Sequence, residues 1–176
     1  WFAFQYRPDT PEAPATLSTT ILPTYGVMFR NRFGTPDEVA LLFRAGINWS
    51  HWDTDAGNVI LYGKGAPLSP GTGYQYYYGP ASENEQIYHN RVKVGARNQQ
   101  EVFGRIDDAI TDYGFGPAAD YAVNSRFYPS QLFKDAKGAM SWNRHVLFLK
   151  GASDYAVMRD TFPNGAGRPT WWTWMN

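Results

Sequence analysis

A histidine and two aspartates, His51, Asp53 and Asp55, stand at alternate positions directly before an apolar run of the chain. In an extended strand, residues i, i+2 and i+4 project to one face, so the three polar groups would converge there. Imidazole and carboxylate groups exchange protons with substrates, and they also bind Zn²⁺, which takes three or four N, O or S ligands. Alternatively, the aspartates cap a turn and His51 is an ordinary surface histidine. His89 and Asn90 follow after a long predicted loop.

Aromatic residues form a second group of side chains that can bind a substrate or transfer a proton. Four tyrosines lie close together, with two tryptophans nearby in the sequence: Tyr74, Tyr76, Tyr77, Tyr78, Trp49 and Trp52. An aromatic face stacks on the apolar face of a sugar ring, and a tyrosine hydroxyl can transfer a proton. Tyrosine and tryptophan are also common in strands, so a strand at the rim of a core explains the run equally well. The C-terminal stretch TWWTWMN is predicted to pack rather than to bind a ligand.

Basic residues are scattered along the chain, and a guanidinium group suits carboxylates and sulfates because it donates two parallel hydrogen bonds. The set comprises Arg30, Arg32, Arg44, Arg91, Lys93, Arg97, Arg144 and Arg159. Most of them are expected on solvated strand faces, with one or two touching a ligand. Arg91 is the best placed of these, because it follows His89 closely.

The segments that must position these groups are mostly β-strands. Period-two alternation or β-rich apolar runs predict strands in residues 25–31, 38–46, 58–65, 121–127, 143–151, 154–162 and 170–176. Turn-forming Gly, Pro, Asn and Asp separate these runs. A weak helical pattern covers residues 98–110, and long loops are predicted over 68–90 and 95–118. The sequence therefore predicts an all-β fold, an antiparallel β-sandwich.

Composition narrows the class of protein further. The chain has 176 residues, suited to one domain, and sixteen basic residues balance sixteen acidic ones. A neutral chain has no global field that would attract nucleic acid, and no apolar run is long enough for a membrane span. The absence of cysteine excludes disulfides and thiolate metal ligands. Three prolines in residues 8–14 predict a linker over 1–20, joining an upstream domain to a sandwich over 21–176.

Four segments, in this order, carry a resemblance to a known family. They are LPTYGVMFRNRFGTPDEVALLFRAG, HWDTDAGNVILYGKGAPLSPGTGY, YHNRV and NRHVLFLKGASDYAVMRDTF. Together they resemble the C-terminal β-sandwich domain of the heparinase II/III-like polysaccharide lyases. The resemblance implies that the chain is part of a larger lyase, in which a helical toroid precedes the sandwich and the active site lies between the two.

The family pattern aligns with several residues of this chain. His51 matches the first histidine of the family segment, Asp55 its aspartate, Tyr74 the loop tyrosine, and residues 89–90 the later His-Asn dipeptide. Two positions depart from the pattern: Asp53 stands where a second histidine is usual, and Gly71 or a neighbour stands where the loop aspartate is expected. Since family members use those two positions and the later histidine to hold zinc, the resemblance implies an altered zinc site built from Asp53, Asp55 and His89.

The resemblance also implies an activity and a partner. It implies β-elimination at uronic acids of an acidic polysaccharide, with glycosaminoglycans and alginate among the candidates, in a periplasmic or secreted protein. His51 and Tyr74 are the implied catalytic residues, and the substrate-binding residues are Trp52, Tyr76, Asn90 and Arg91. Two alternatives remain: a non-catalytic carbohydrate-binding or structural sandwich that has lost catalysis, and an unrelated sandwich whose tyrosine-rich loop binds protein.

Overall fold

The computed structural model describes residues 16–46, 55–70, 89–95, 107–130, 138–165, 167–168 and 170–174. Within these ranges the chain forms eleven β-strands and no helix. The first sheet contains, in both chain and spatial order, β1 (Thr20–Leu22), β2 (Gly26–Asn31), β3 (Val39–Arg44), β4 (Val59–Gly63) and β5 (Ala66–Ser69). Its four pairings are antiparallel, as expected for neighbours joined by short connections.

The remaining strands form two further sheets. They are β6 (Val92–Val94), β7 (Asp107–Phe115), β8 (Ala119–Tyr128), β9 (Met140–Leu149), β10 (Tyr155–Thr161) and β11 (Thr170–Trp172). A four-stranded antiparallel sheet has the order β10-β9-β8-β7, and β11 pairs with β6 in a small two-stranded sheet. Among the described residues, no helix is long and apolar enough to cross a membrane.

The main core lies between the five-stranded and four-stranded sheets. Alternate residues of the strands point inward and are almost completely buried: Val27, Phe29, Leu41, Phe43, Val59, Ala122, Val146 and Phe148. Phe29 stacks on Phe148 across the interface, with ring centroids 5.9 Å apart. The alternation that predicted strands therefore supplies the two apolar faces of the core, and the predicted antiparallel β-sandwich is confirmed.

A second, smaller core lies where β6 packs against the end of the four-stranded sheet. It contains Val92 and Val94 from β6, together with Tyr128, Met140 and Trp142. Phe162, just after β10, packs against this cluster. The small sheet thus brings the chain around residue 90 to the beginning of β9.

The structure confirms strands in all seven predicted segments, but two other predictions were wrong. β7 occupies residues 107–115, which the sequence assigned partly to a helical pattern and partly to a loop. Its apolar alternation is hidden because the buried Asp108 faces inward and a bulge interrupts the register between Ile110 and Asp112. β5 occupies Ala66–Ser69, directly after the strand predicted over 58–65 and partly inside the loop predicted from residue 68; it tolerates Pro67 because it is an edge strand.

Candidate functional site

Two segments far apart in sequence meet at the beginning of β4. The backbone N–H of Asn90 donates to Oδ1 of Asn58 at 2.8 Å, and the Asn90 side chain donates to the carbonyl of Val59 at 2.8 Å. Asn90 is completely buried, and its amide also reaches the carbonyl of Ser69 at 3.3 Å. The His-Asn dipeptide is therefore held against the turn that follows Asp55.

Arg144, on the inner face of β9, connects these two segments. Its Nη1 donates to the carbonyls of Gly57 at 2.8 Å and Asn90 at 2.7 Å. Its Nε and Nη2 donate to the two carboxylate oxygens of Asp160 at 2.9 and 3.0 Å. Because Arg144 is fully buried, this bidentate pair and the two carbonyl contacts together compensate its charge.

Asp160 accepts two further hydrogen bonds, from one tryptophan of β9 and one of β11. Nε1 of Trp142 donates to Oδ1 at 2.7 Å, and Nε1 of Trp172 donates to Oδ2 at 2.8 Å. Each carboxylate oxygen thus has one guanidinium and one indole donor. A buried carboxylate satisfied in this way fixes the positions of its partners rather than offering a reactive group.

Guanidinium groups and indole rings alternate in space around this carboxylate. The Arg91 and Arg144 guanidinium carbons lie 5.4 and 5.1 Å from the Trp142 ring centroid, and Arg144 lies 5.0 Å from Trp172. Trp172 in turn stacks on Trp174, with centroids 6.2 Å apart and planes 16° apart. We call these five residues the cation–π column, since each cation lies within the distance at which a ring face attracts it. The column runs from the second core to the surface.

The turn beside Asp55 requires glycine at position 57. Gly57 has φ of +80°, and a Cβ atom there would lie 2.4 Å from the Trp142 ring. Only glycine accommodates both the left-handed backbone and the close indole. The turn and the column are therefore packed as one unit.

His89 is buried beside this unit, with 3% of its surface exposed. Its Nδ1 has no hydrogen-bond partner among the described residues. Burial, and secondarily the positive charge of Arg91, lowers the pKa of His89 to about 4. The imidazole is therefore neutral near neutral pH, the state in which a ring nitrogen accepts a proton or a metal ion.

Asp55 lies in the turn before β4 rather than in a strand, so its carboxylate is not placed by the predicted strand alternation. One oxygen lies 3.3 Å from Nε of Arg44. Burial raises the pKa of Asp55, while the charges of Arg44 and Arg91 act in the opposite direction. Asp55 and His89 are thus both subject to the charge of Arg91.

The predicted site residues fall into two groups. His51, Trp52, Asp53, Tyr74 and Tyr76 lie outside the described residues. Of the predicted substrate-binding residues that are described, Asn90 and Arg91 are both completely buried and bonded to neighbouring protein groups. Among described residues, no three His, Asp or Glu side chains gather as a metal site would require, so the zinc site stays a prediction.

The structure corrects one expectation about the basic residues. Lys93 and Arg144 are fully buried rather than solvated, and Arg91, which was expected to touch a ligand, is fully buried as well. Trp171 and Trp172 each donate a hydrogen bond to the protein, as residues predicted to pack should, and they are still 42% and 52% exposed. The sequence did contain a signal for Arg144: it shares the inward phase of β9 with neighbouring apolar residues. No comparable signal pointed to Asp160, because its role depends on donors from two other strands, β9 and β11.

Comparison with known proteins adds no family assignment. No protein-family model matches the chain, and no curated protein matches it.

Proposed function

We propose that this chain is the β-sandwich part of a polysaccharide lyase, which cleaves a uronic-acid-containing polysaccharide by β-elimination together with a helical domain. The supporting observation is the convergence of the Asp55–Asn58 turn with the His89–Arg91 segment around Arg144. These are the two segments that the resemblance assigns to the cleft. A periplasmic or secreted location belongs to the same proposal.

β-Elimination at a uronate places definite demands on a site. The carboxylate must be neutralised so that the C5 proton becomes acidic, a base must remove that proton, and an acid must protonate the departing glycosidic oxygen. We assign the sandwich's contribution to proton transfer to His51, with Tyr74 beside the reacting sugar. Trp52 and Tyr76 contact the substrate in this proposal.

The buried residues where these two segments meet hold the site in place in this proposal and do not contact the substrate. Asn90 and Arg91 act as positioning residues, because their side chains are buried against the protein rather than open to a ligand. Arg91 also contributes a positive potential that is felt at both Asp55 and His89. That potential favours an anionic substrate near this end of the sandwich.

One described residue, His89, has the properties of a zinc ligand. His89 offers a buried, neutral imidazole whose Nδ1 has no protein partner among the described residues, as a metal ligand requires. Asp55 is already paired with Arg44, so it would have to exchange that partner to bind a metal. In this proposal Asp53, Asp55 and His89 hold the ion, which would stabilise the fold of the cleft.

The test is ultraviolet absorbance of the unsaturated uronate product, measured with the longest natural form of the protein on a panel of acidic polysaccharides. We expect product from the parent protein and loss of product from the His51→Ala variant. His145→Ala is the matched control, since His145 is paired with Tyr121 at 3.2 Å and faces away from the core. Failure of the parent protein to form product on every polymer would refute the lyase proposal.

A second candidate is a non-catalytic carbohydrate-binding sandwich. The observation in its favour is that the surface near the column exposes tryptophan rings, while Asn90 and Arg91 are committed to internal contacts. Retention on an immobilised acidic polysaccharide, without any unsaturated product, would support this alternative.

A further inference from the structure

The outer face of the four-stranded sheet carries a group of exposed apolar side chains. Strand residues alternate between the two faces, so the neighbours of the inward-facing Val146 and Met158 point away from the main core. On that outer side Leu147 is 36%, Val157 is 49% and Tyr155 is 59% exposed. Large apolar side chains gathered on one exposed face mark a contact surface more often than isolated ones do.

The pairing register aligns part of this group in an apolar row that crosses the sheet. From β10 to β7 the row contains Val157, Leu147, Tyr121 and Gly114. A Cβ atom on Gly114 would meet nothing within 4 Å, so the space above that residue is open. The row is therefore raised at the β10 edge, where Val157 projects, and lowered at the β7 edge.

The adjacent row of the same face ends in opposite charges. From β10 to β7 it contains Arg159, His145, Val123 and Asp112. Arg159 and Asp112 are exposed, and within the described ranges neither forms an ion pair with another side chain. Three strand spacings, roughly 14 Å, separate the two positions, so they do not pair within one chain. Burial, and secondarily the charge of Asp112, raises the pKa of Tyr121, as expected if that carboxylate lies on the outer face.

A second copy of the chain would complement both rows at once. When a two-fold axis runs parallel to the strands and passes between β8 and β9, β10 of one copy faces β7 of the other. Arg159 then faces Asp112 of the second copy, and Val157 faces the open space above Gly114. Symmetry repeats both contacts at the opposite edge. An axis perpendicular to the strands would instead place β10 against β10, so that neither charge would meet its opposite.

The dimensions of packed sheets allow these contacts. Aligned sheets pack about 10 Å apart, and their facing side chains interdigitate. The outer face is four strands wide and seven residues long at β10, roughly 19 by 24 Å, which gives a flat area of about 450 Å² per copy. This area is at the low end for specific interfaces, so the association should be weak and the protein mainly monomeric at low micromolar concentration.

We propose that the outer face of β7–β10 is a self-complementary interface, through which two copies of this chain form a weak two-fold dimer with Arg159 of each copy paired to Asp112 of the other. The dimer has four layers of sheet, with the two four-stranded sheets inside. The inference goes beyond the proposed function and does not depend on it, because it rests on the register, shape and charges of this face alone.

The test reverses the two charges, singly and together, in the longest natural form of the protein. Sedimentation velocity from low to high micromolar concentration measures the dissociation constant of the dimer. Arg159→Asp alone, or Asp112→Arg alone, turns both intermolecular pairs into like charges, so each should weaken the dimer at least about tenfold. The double variant restores opposite charges and should recover the affinity of the parent protein to within about threefold.

Lys64→Asp is the matched control, because it changes the net charge by the same amount as Arg159→Asp. Lys64 is exposed in the turn between β4 and β5 of the other sheet, and aspartate accepts the φ of +53° found there. This variant should change the affinity of the dimer less than about twofold. Thermal unfolding at low micromolar concentration should be similar in all variants, since the three positions are exposed.

Four results would overturn the proposal. The first is a parent protein that stays monomeric at every concentration, and the second is a Lys64→Asp variant that weakens the dimer as much as Arg159→Asp does. The third is a double variant that stays as weak as the single ones, because Arg159 and Asp112 would then not be paired. The fourth is protection of Tyr155 from hydroxyl-radical labelling that does not change with concentration, because another part of the same polypeptide would then cover the face.

Discussion

The two cores of this sandwich are built on different physical principles. Between the large sheets, every member of the buried cluster is apolar, and Phe29 and Phe148 stack at its centre. At the other end, Trp142 is packed between two buried arginines, and Asp160 accepts from four donors. The first core depends on the area removed from water, whereas the second depends on the placement of individual donors and acceptors.

The two cores therefore contribute differently to the stability of the sandwich and to the positions of its loops. Apolar burial is non-directional and tolerates small adjustments, so the main core stabilises the sandwich without fixing any one loop. A buried bidentate pair tolerates little displacement, and Arg144 uses it to hold the carbonyls of Gly57 and Asn90. The polar end is therefore the part that positions the loops of the candidate site.

The largest effect is expected from Asp160→Ala. Removing this carboxylate leaves Arg144 buried without its ionic partner and two indole N–H groups without acceptors, which should lower the free energy of unfolding by about 4 kcal/mol. Urea unfolding measures the loss. Hydrogen exchange should show that the Asn90 amide loses more protection than the Val27 amide; equal losses would contradict a local positioning role.

A smaller loss of stability is expected from Leu41→Ala in the main core. Deleting this buried side chain should lower the free energy of unfolding by about 3 kcal/mol, through lost burial and the cavity it leaves. Here the Asn90 and Val27 amides should lose protection together. Leu147→Ala is the matched control, since Leu147 is exposed on the outer face of β9 and should change stability by less than about 1 kcal/mol.

The pH dependence of stability reports on His89. Its pKa is about 4 when folded and 6.5 when unfolded, so the unfolded chain binds more protons within that interval and stability falls as the pH decreases. Between about pH 7 and about pH 5 the expected loss is about 2 kcal/mol. Asp55, with a raised pKa, contributes in the opposite direction at the acidic end.

The matched variant for this prediction is His89→Gln, which removes the titrating ring and leaves Asp55 unchanged. Urea unfolding at each pH should show a shallower fall in stability for the variant than for the parent protein. Parallel curves for the two proteins would contradict the assignment of the slope to His89.

The smallest effect is expected at the ion pair between Arg30 and Glu38, which are 2.9 Å apart and partly exposed. Glu38→Ala should change the free energy of unfolding by less than about 1 kcal/mol, because solvent screens the pair and both side chains lose freedom in making it. Urea unfolding of Glu38→Ala and Asp160→Ala under the same conditions compares the two losses of stability directly. A loss as large as that of Asp160→Ala would remove the distinction between buried and exposed pairs.

Much of the fold was predictable from local pattern. β2, β3, β4 and β9 place apolar residues at alternate positions, so their existence follows from the order of residues alone. β7 escaped detection because its inward side chain is the buried Asp108, which accepts from Asn124 at 2.6 Å and Arg126 at 3.3 Å. A strand whose buried face is polar looks like a loop until its partners are known.

The candidate site was predictable only as a set of residue types. The sequence singled out Asp55, His89, Asn90 and Arg91, and the structure places Asn90 against Asn58 and Arg91 against Trp142. Their burial was not foreseen, since a charged residue in a short strand ordinarily faces solvent. Asp160 compensates the charge of Arg144 because the two residues are directly opposite in the antiparallel pair of β9 and β10. Only the register of that pair places them together.

The sequence by itself determined the all-β class, the seven alternating strands and the residue types available for chemistry, because alternation and turn residues act over a few neighbouring positions. Only the tertiary structure decided which charges are buried, which tryptophans face solvent, and that residues 57, 90, 144 and 160 meet. Those outcomes depend on contacts between strands distant in sequence, and a buried charge is stable only where such contacts supply its partners.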